Sequence, residues 1–369
     1  MRAAVLQQAG RAVAIEELRL DPPAAGEVRV RILASGVCHS DLHVRDGEWP
    51  RTGPFVIGHE GAGLVEAIGP GVDPAASGLE IGRLVALSWY APCGRCPACR
   101  TGREWLCSDS GASRHRLSDG TTRAHRPDGS DVFPYCGIGT LAEATVVPAS
   151  AAIPMPDGTP PEVAALIGCC VSTGVGAVTK TARLPAGASV VVIGLGGVGL
   201  SIVMGAALAG GDPIVAVDRV PAKLAVARDL GATATVEAGD DPAATEAAIR
   251  SLTGGGPDFA FEAIGLAATI DQAIRLLPPG GTAVLVGMTP FGVRAGFEVF
   301  PFVDGSRSIL GSNYGFAVGS IDFPAYARLY LDGRLPVDRL IDRRIALDEV
   351  EGAFDRLRAG TGLRSIVTF

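Results

Sequence analysis

Ser189–Gly199 reads S-V-V-V-I-G-L-G-G-V-G and runs directly into Leu200-Ser201-Ile202-Val203-Met204. A short apolar run ahead of a glycine cluster predicts a buried strand, and the longer apolar run behind it predicts a helix. Gly194-Leu195-Gly196-Gly197-Val198-Gly199 therefore fits G-x-G-x-x-G in a strand–turn–helix setting. A tight turn there lets the backbone approach a pyrophosphate, and free N–H groups at the helix N-terminus hold its charge. This makes Gly194, Gly196, Gly197, Val198 and Gly199 candidate cofactor contacts. Asp218 closes the next predicted strand about 20 residues on, where a carboxylate accepts from adenosine ribose hydroxyls. A 2′-phosphate would meet like charge at that position, so NAD is preferred over NADP. Arg219 can lie against adenine or draw a phosphate. Lys223, one helical turn further, reaches either ribose or solvent.

Working outward, strand and helix alternate after Pro185. Strands are expected at Ser189–Ile193, Ile214–Val217, Phe259–Glu262 and Thr282–Val286, with helices over Val198–Ala209, Pro221–Leu230 and Ala267–Leu277. Repeated βα units imply an α/β Rossmann fold, a doubly wound parallel sheet with helices on both faces. Upstream the pattern is mainly β, with short strands at Arg2–Leu6, Val28–Ala34, Gly63–Ile68 and Arg83–Leu87. Helices over Phe323–Tyr330 and Leu347–Leu357 and a strand at Ser365–Phe369 complete the tail. No period is sustained from Cys93 to Gly139, and so long an irregular stretch needs a staple or a function.

With 32 basic against 39 acidic side chains, the chain carries a formal net charge of −7, a poor fit to a nucleic-acid partner. Its 47% hydrophobic and 19% charged content supports a sizeable core and argues against disorder. The 50 glycines in 369 residues are about twice ordinary usage, yet no G-X-Y period accompanies them. The N-terminus lacks the apolar core of a signal peptide. The uncharged run Leu184–Gly211 is long enough to span a bilayer, but Pro185, Gly187 and the glycine cluster divide it, so no membrane association is expected. A cytoplasmic location follows as the expectation.

Four of the eight cysteines crowd together. Cys93, Cys96, Cys99 and Cys107 form C-x-x-C-x-x-C with a fourth thiol shortly after, a set able to close a tetrahedral shell around a structural zinc. An iron–sulfur cluster can use similar spacing. A second, scattered group comprises Cys38-His39-Ser40-Asp41-Leu42-His43, His59-Glu60 and Cys169-Cys170. Cys38, His59 and Cys169 would give a Cys2His shell with one position open, as a catalytic zinc requires.

Together, G-V-C-H-S-D-L-H, G-H-E-G-A-G, the four-cysteine lobe, G-C-C-V-S-T-G and G-L-G-G-V-G resemble the zinc-dependent medium-chain alcohol dehydrogenase family, in that family's order and over nearly the whole chain. The resemblance implies a Rossmann domain over 171–313 inserted in a mainly β, GroES-like catalytic domain of residues 1–170 and 314–369, with the structural-zinc lobe at about 92–108. It implies two zinc ions, the catalytic one on Cys38, His59 and Cys169 and the structural one on Cys93, Cys96, Cys99 and Cys107. Cys170 receives no ligand role. Ser40 would take the alcohol proton and pass it toward His43 at the surface, Asp41 would orient His59, and Glu60 would lie behind the metal. His39, Thr173 and Arg364 match family positions that contact the cofactor. Trp49, Trp89, Tyr135, Met288 and Asn313 match positions lining the substrate cleft, which suits aromatic or long aliphatic primary alcohols.

The absence of arginine from that set disfavours a glutathione adduct as substrate. The C-terminal stretch from Asp322 to Pro336, in contrast, resembles a branch that includes thiol-adduct formaldehyde dehydrogenases and enzymes that retain their nicotinamide tightly. A catalytically silent relative would usually lack the ligands or the relay, which this chain keeps. The long loop from Cys107 to Leu141 resembles longer family members, which tend to be dimers, so a homodimer is expected.

Overall fold

The computed structural model describes residues 1–369, all but the side chain of Ser113. The chain divides into two compact units, Met1–Cys169 with Ala317–Phe369, and Cys170–Phe316.

The second unit is a six-stranded parallel sheet. Its strands lie in the order Ala234–Glu237, Ile214–Asp218, Val190–Ile193, Phe259–Glu262, Thr282–Leu285, Ser308–Gly311. Every residue of Val190–Ile193 is buried, as expected for a central parallel strand covered on both faces. The expected Rossmann fold is therefore present. The expected helix Pro221–Leu230 ends at Asp229, and Val198–Ala209 begins one residue earlier, at Gly197. The strand Ala234–Glu237, the helix Pro242–Leu252 and the edge strand Ser308–Gly311 were not anticipated. The helix buries only Thr245 and Ile249, so it lacks a strong apolar stripe. Its start is nonetheless written as Asp-Pro: Asp241 accepts from the Ala243 N–H at 2.9 Å, and Pro242 fills the first position.

The first unit is mainly β. The long strand Glu27–Gly36 pairs along its length with Glu60–Ile68, with two register shifts, and is long enough to pair also with Ala144–Pro148 through Glu27–Arg31 and with Arg364–Thr368 through Ala34–Gly36. Around it lies a core of Val28, Val30, Ile32, Val65, Val85 and Leu87. The tail helix expected from Phe323 starts at Gly319, where the Asp322 carboxylate accepts from the Val318 N–H at 2.6 Å and leaves Pro324 inside the helix. The irregular stretch Cys93–Gly139 contains three short helical turns before Gly120 and a small hairpin, Ala124–His125 with Asp131–Pro134.

One helical run, Pro161–Ala182, is long and apolar enough to cross a membrane, and 89% of its apolar window is buried inside the protein. Two π-helical segments interrupt it, Ile167–Val171 and Ala177–Ala182.

Candidate functional site

Cys38, His59, Glu60 and Cys169 are all buried, and their ligand atoms lie within 4.8 Å of one another. Three short devices place them. Cys38 is the N-cap of the helix His39–Arg45, and Asp41 three residues on accepts from its backbone N–H at 3.1 Å. The other oxygen of the same carboxylate lies 2.9 Å from His59 Nδ1. That contact fixes the ring and leaves Nε2 for a metal, so one carboxylate orients two ligands. Cys169 sits in the π-helical segment Ile167–Val171, where the widened turn re-aims side chains, a frequent feature of functional sites.

Glu60 begins the strand Glu60–Ile68 opposite Gly36. A Cβ at Gly36 would overlap the Glu60 carboxylate, so glycine there makes its room. Glu60 Oε2 pairs with the buried Arg364, while Oε1 is buried and, among the described residues, meets no hydrogen-bond partner. Burial raises the Glu60 pKa to about 7 against the opposing pull of Arg364. The Cys38 thiol is held well below its ordinary value by the hydrogen bond from Cys169, with His59 adding to the effect over the cost of burial. A buried thiolate, an oriented imidazole, a second thiol and an orphaned carboxylate oxygen form a donor set that suits zinc.

The second cluster, Cys93, Cys96, Cys99 and Cys107, likewise has its four sulfurs within 4.8 Å of one another. Cys93 and Cys99 Sγ are 4.0 Å apart, close to the ~3.8 Å that tetrahedral zinc–sulfur bonds impose. Backbone N–H groups of Cys93, Cys96 and Cys99 donate to Cys107, Cys93 and Cys96 sulfurs at 3.3–3.4 Å. Such bonds stabilise thiolates. All eight cysteines are free.

In the second unit the glycines of Gly194–Gly199 divide their work. Gly194 turns the chain with φ 93° after the strand. A Cβ at Gly199 would overlap the Gly194 carbonyl, whereas one at Gly196 meets nothing within 4 Å. The open side at Gly196 is where a pyrophosphate can come against the backbone. Asp218 Oδ2 accepts from the Leu195 N–H at 2.7 Å and Oδ1 from the Val220 N–H at 3.0 Å, which ties the turn to the next strand. Arg219 pairs with Asp240 at the surface, and Lys223 is half-buried on the following helix. Thr173 is half-buried in the helix Ser172–Gly176, beside Gly174, which packs against Val198 and Ser201.

Several residues stand differently from expectation. His43 is 8% exposed, not at the surface. Its ring stacks on Trp49 at 4.7 Å and meets His39 edge-on at 5.0 Å, and Nδ1 pairs with Glu48. Trp49 belongs to a core cluster with Leu42, Val44 and Tyr135. Arg364 is 4% exposed and engaged with Glu60 in the first unit, as a buried ion-pair partner. Trp89 and Tyr135 present their rings to His59 at 6.1 and 5.8 Å. The Tyr135 hydroxyl donates to the Ser40 carbonyl at 3.4 Å, and burial holds the phenol protonated. Met288, which is 56% exposed, and Asn313 belong to the second unit. Sequence reasoning passed over His115, whose ring stacks on Tyr135. Its only signal was a histidine in a loop.

A GroES-like unit with two cysteine-rich metal centres and a Rossmann unit define a metal-dependent dehydrogenase. The alcohol dehydrogenase GroES-like domain family matches residues 24–157, and the zinc-binding dehydrogenase family matches residues 197–332. The chain is 34% identical to an S-(hydroxymethyl)glutathione dehydrogenase of Paracoccus denitrificans, across 100% of this chain and 99% of that protein. It is 36% identical to an NDMA-dependent alcohol dehydrogenase of Amycolatopsis methanolica, across 99% and 98%. The solved benzyl alcohol dehydrogenase of Acinetobacter calcoaceticus superposes with a TM-score of 0.89 at 32% identity, covering 100% and 99%. The chain belongs to the zinc-dependent medium-chain alcohol dehydrogenase family, and it is an oxidoreductase.

Proposed function

We propose that the protein interconverts primary aromatic or long-chain alcohols and their aldehydes with NAD. The observation that carries this reading is the buried Cys38–His59–Cys169 set with the Trp89 and Tyr135 rings around His59. Bound there, zinc supplies Lewis acidity toward the alcohol oxygen and NAD supplies the hydride acceptor. Ser40 Oγ takes the hydroxyl proton, and His43, held by Glu48 and Trp49, passes it on. Asp41 keeps His59 in the tautomer that a metal accepts. Cys93, Cys96, Cys99 and Cys107 hold a second, structural zinc that staples the irregular lobe. Asp218 supports NAD as the cofactor. His39 and Thr173 are further candidate cofactor contacts, whereas Arg364 serves as the ion-pair partner of Glu60. Free cysteines and an acidic composition support a cytoplasmic enzyme, and we take it to be a homodimer.

A second reading has a specific support. The Paracoccus denitrificans relative named for S-(hydroxymethyl)glutathione spans the whole chain, so oxidation of a hydroxymethyl adduct of a thiol is the competing activity.

The test is an alcohol panel with NAD, run with and without thiols and formaldehyde. Benzyl-type alcohols should be turned over without thiol, and metal analysis should return two zinc ions per chain. Cys38→Ser should lose turnover and one zinc while keeping the other. Turnover that appears only with a thiol and formaldehyde would replace the aromatic reading with the adduct reading.

A further inference from the structure

His115 lies outside every role assigned above. It follows the helical turn Gly111–Arg114 with a left-handed backbone, φ 52°, which non-glycine residues seldom adopt. Close backbone packing holds the turn. A Cβ at Gly111 would stand 2.6 Å from the Gly137 Cα, and one at Gly137 would stand 2.7 Å from the Gly111 Cα. The imidazole is 5% exposed. It stacks on Tyr135 with ring centroids 5.0 Å apart and planes at 14°, and Phe55 meets it edge-on at 5.5 Å. Tyr135 in turn lies against His59. His115 is thus two ring contacts from His59, held between two aromatic neighbours and by its backbone.

Its protonation follows from its neighbours. The Cys136 N–H donates to His115 Nδ1 at 3.0 Å, so Nδ1 carries no proton and Nε2 does. Burial, with the nearby charges of Arg51 and His59, pushes the pKa down to about 4, which keeps the ring neutral near neutral pH. The Nε2–H is buried and, among the described residues, meets no acceptor. Ser110 Oγ, at the start of the same turn, is also buried without a partner among them. Native structures seldom leave such groups unmet, and a buried donor that lost its water carries the full desolvation penalty until something accepts from it.

We propose that His115 is a specificity-determining residue whose Nε2–H receives a hydrogen-bond acceptor at the far end of the alcohol substrate, a ring hydroxyl or a carboxylate. This deepens the aromatic-alcohol reading and rests on it. A site that buries a donor for its substrate penalises the analogue lacking the acceptor, because the donor then stays unpaired.

The experiment compares kcat/KM of the zinc-loaded enzyme with NAD for benzyl alcohol, 3- and 4-hydroxybenzyl alcohol and 4-(hydroxymethyl)benzoate. The wild type should favour an acceptor-bearing alcohol over benzyl alcohol by about tenfold or more. The hydroxy and carboxylate arms show whether the acceptor is neutral or anionic. His115→Asn, which tolerates the left-handed backbone, and His115→Phe, which keeps the ring stack, should bring the ratio to about 1 by losing the acceptor-bearing substrate selectively. An unchanged ratio overturns the proposal. So does an equal fall on both substrates, the signature of a purely structural donor or one satisfied by trapped water. Should neither variant fold, the wild-type preference decides, and its absence overturns the proposal. Oxidation of thiol adducts with no turnover of benzyl alcohol is a separate result that removes the aromatic reading and the proposal with it.

Discussion

Asp41 shows how much one side chain can organise. Its carboxylate accepts from the Cys38 backbone and orients His59, so a residue at a helix start and one just ahead of a strand share one support. The family resemblance already implies the link from Asp41 to His59, whereas the helix start at Cys38 and the bond from its backbone N–H come only from the fold. His115 is the opposite case, a residue whose importance no local pattern announces. Its burial has a consequence for stability. The unfolded chain protonates this histidine near the ordinary value of 6.5, while the folded chain resists protonation down to about 4. Above pH 6.5 neither state carries the proton and the group contributes nothing. As pH falls from 6.5 to 4 the unfolded state alone binds it, so stability drops, by up to about 3 kcal/mol, and levels off below 4. Denaturant titrations from pH 7 to 4 should therefore show the wild type losing stability relative to His115→Asn by that order. A difference between the two proteins that stays constant with pH would contradict the assignment.

At the scale of elements, the nucleotide turn separates two kinds of glycine that the sequence writes identically. Gly199→Ala forces a Cβ onto the Gly194 carbonyl and should cost about 1–3 kcal/mol of stability in the overpacking range, visible as a lowered melting temperature. Gly196→Ala meets no atom within 4 Å and should leave the melting temperature of the cofactor-free protein nearly unchanged. It should still weaken NADH binding, measured by fluorescence titration, because its methyl occupies the approach of the pyrophosphate. Equal effects of the two variants on melting would contradict this division. The strand–turn–helix around these glycines was legible because periodicity, glycine spacing and Asp218 agree. Ala234–Glu237 and Ser308–Gly311 were not, since only one residue of the first and none of the second is buried, which leaves no sustained apolar run to read. The four-cysteine lobe was legible as a ligand set, but its short helical turns were not, for metal-ligand spacing rather than any apolar period shapes them. Nor does sequence spacing reveal that Cys169 lies on a π-turn, which depends on a single residue accommodated within a long helix. The same limit explains His43: a polar residue near a helix end reads as solvated, and only the stack on Trp49 and the pair with Glu48 take it inside.

On the scale of the whole molecule, the second unit leaves one feature that a lone chain does not explain. Its sheet ends on Ser308–Gly311, an edge strand with unpaired backbone groups. The segment leading into that strand exposes large apolar side chains: Phe291 is 68% exposed, Val299 66%, Phe300 80% and Val303 68%. Soluble monomers seldom leave so much apolar surface bare, and an open edge beside it invites a second strand. A second copy of the chain satisfies both demands at once, because a two-fold axis beside the edge can set two such strands antiparallel and cover both apolar segments. This supports the homodimer taken above. Sedimentation of the zinc-loaded protein at micromolar concentration should give the mass of two chains. Val299→Glu with Phe300→Glu places charge on exposed positions of the short helix Val299–Asp304, where no buried contact of the single chain is lost. That variant should sediment as one folded chain with its zinc content intact. A wild type that sediments as a monomer, or a charged variant that remains a dimer, would show that this edge is not where two copies meet.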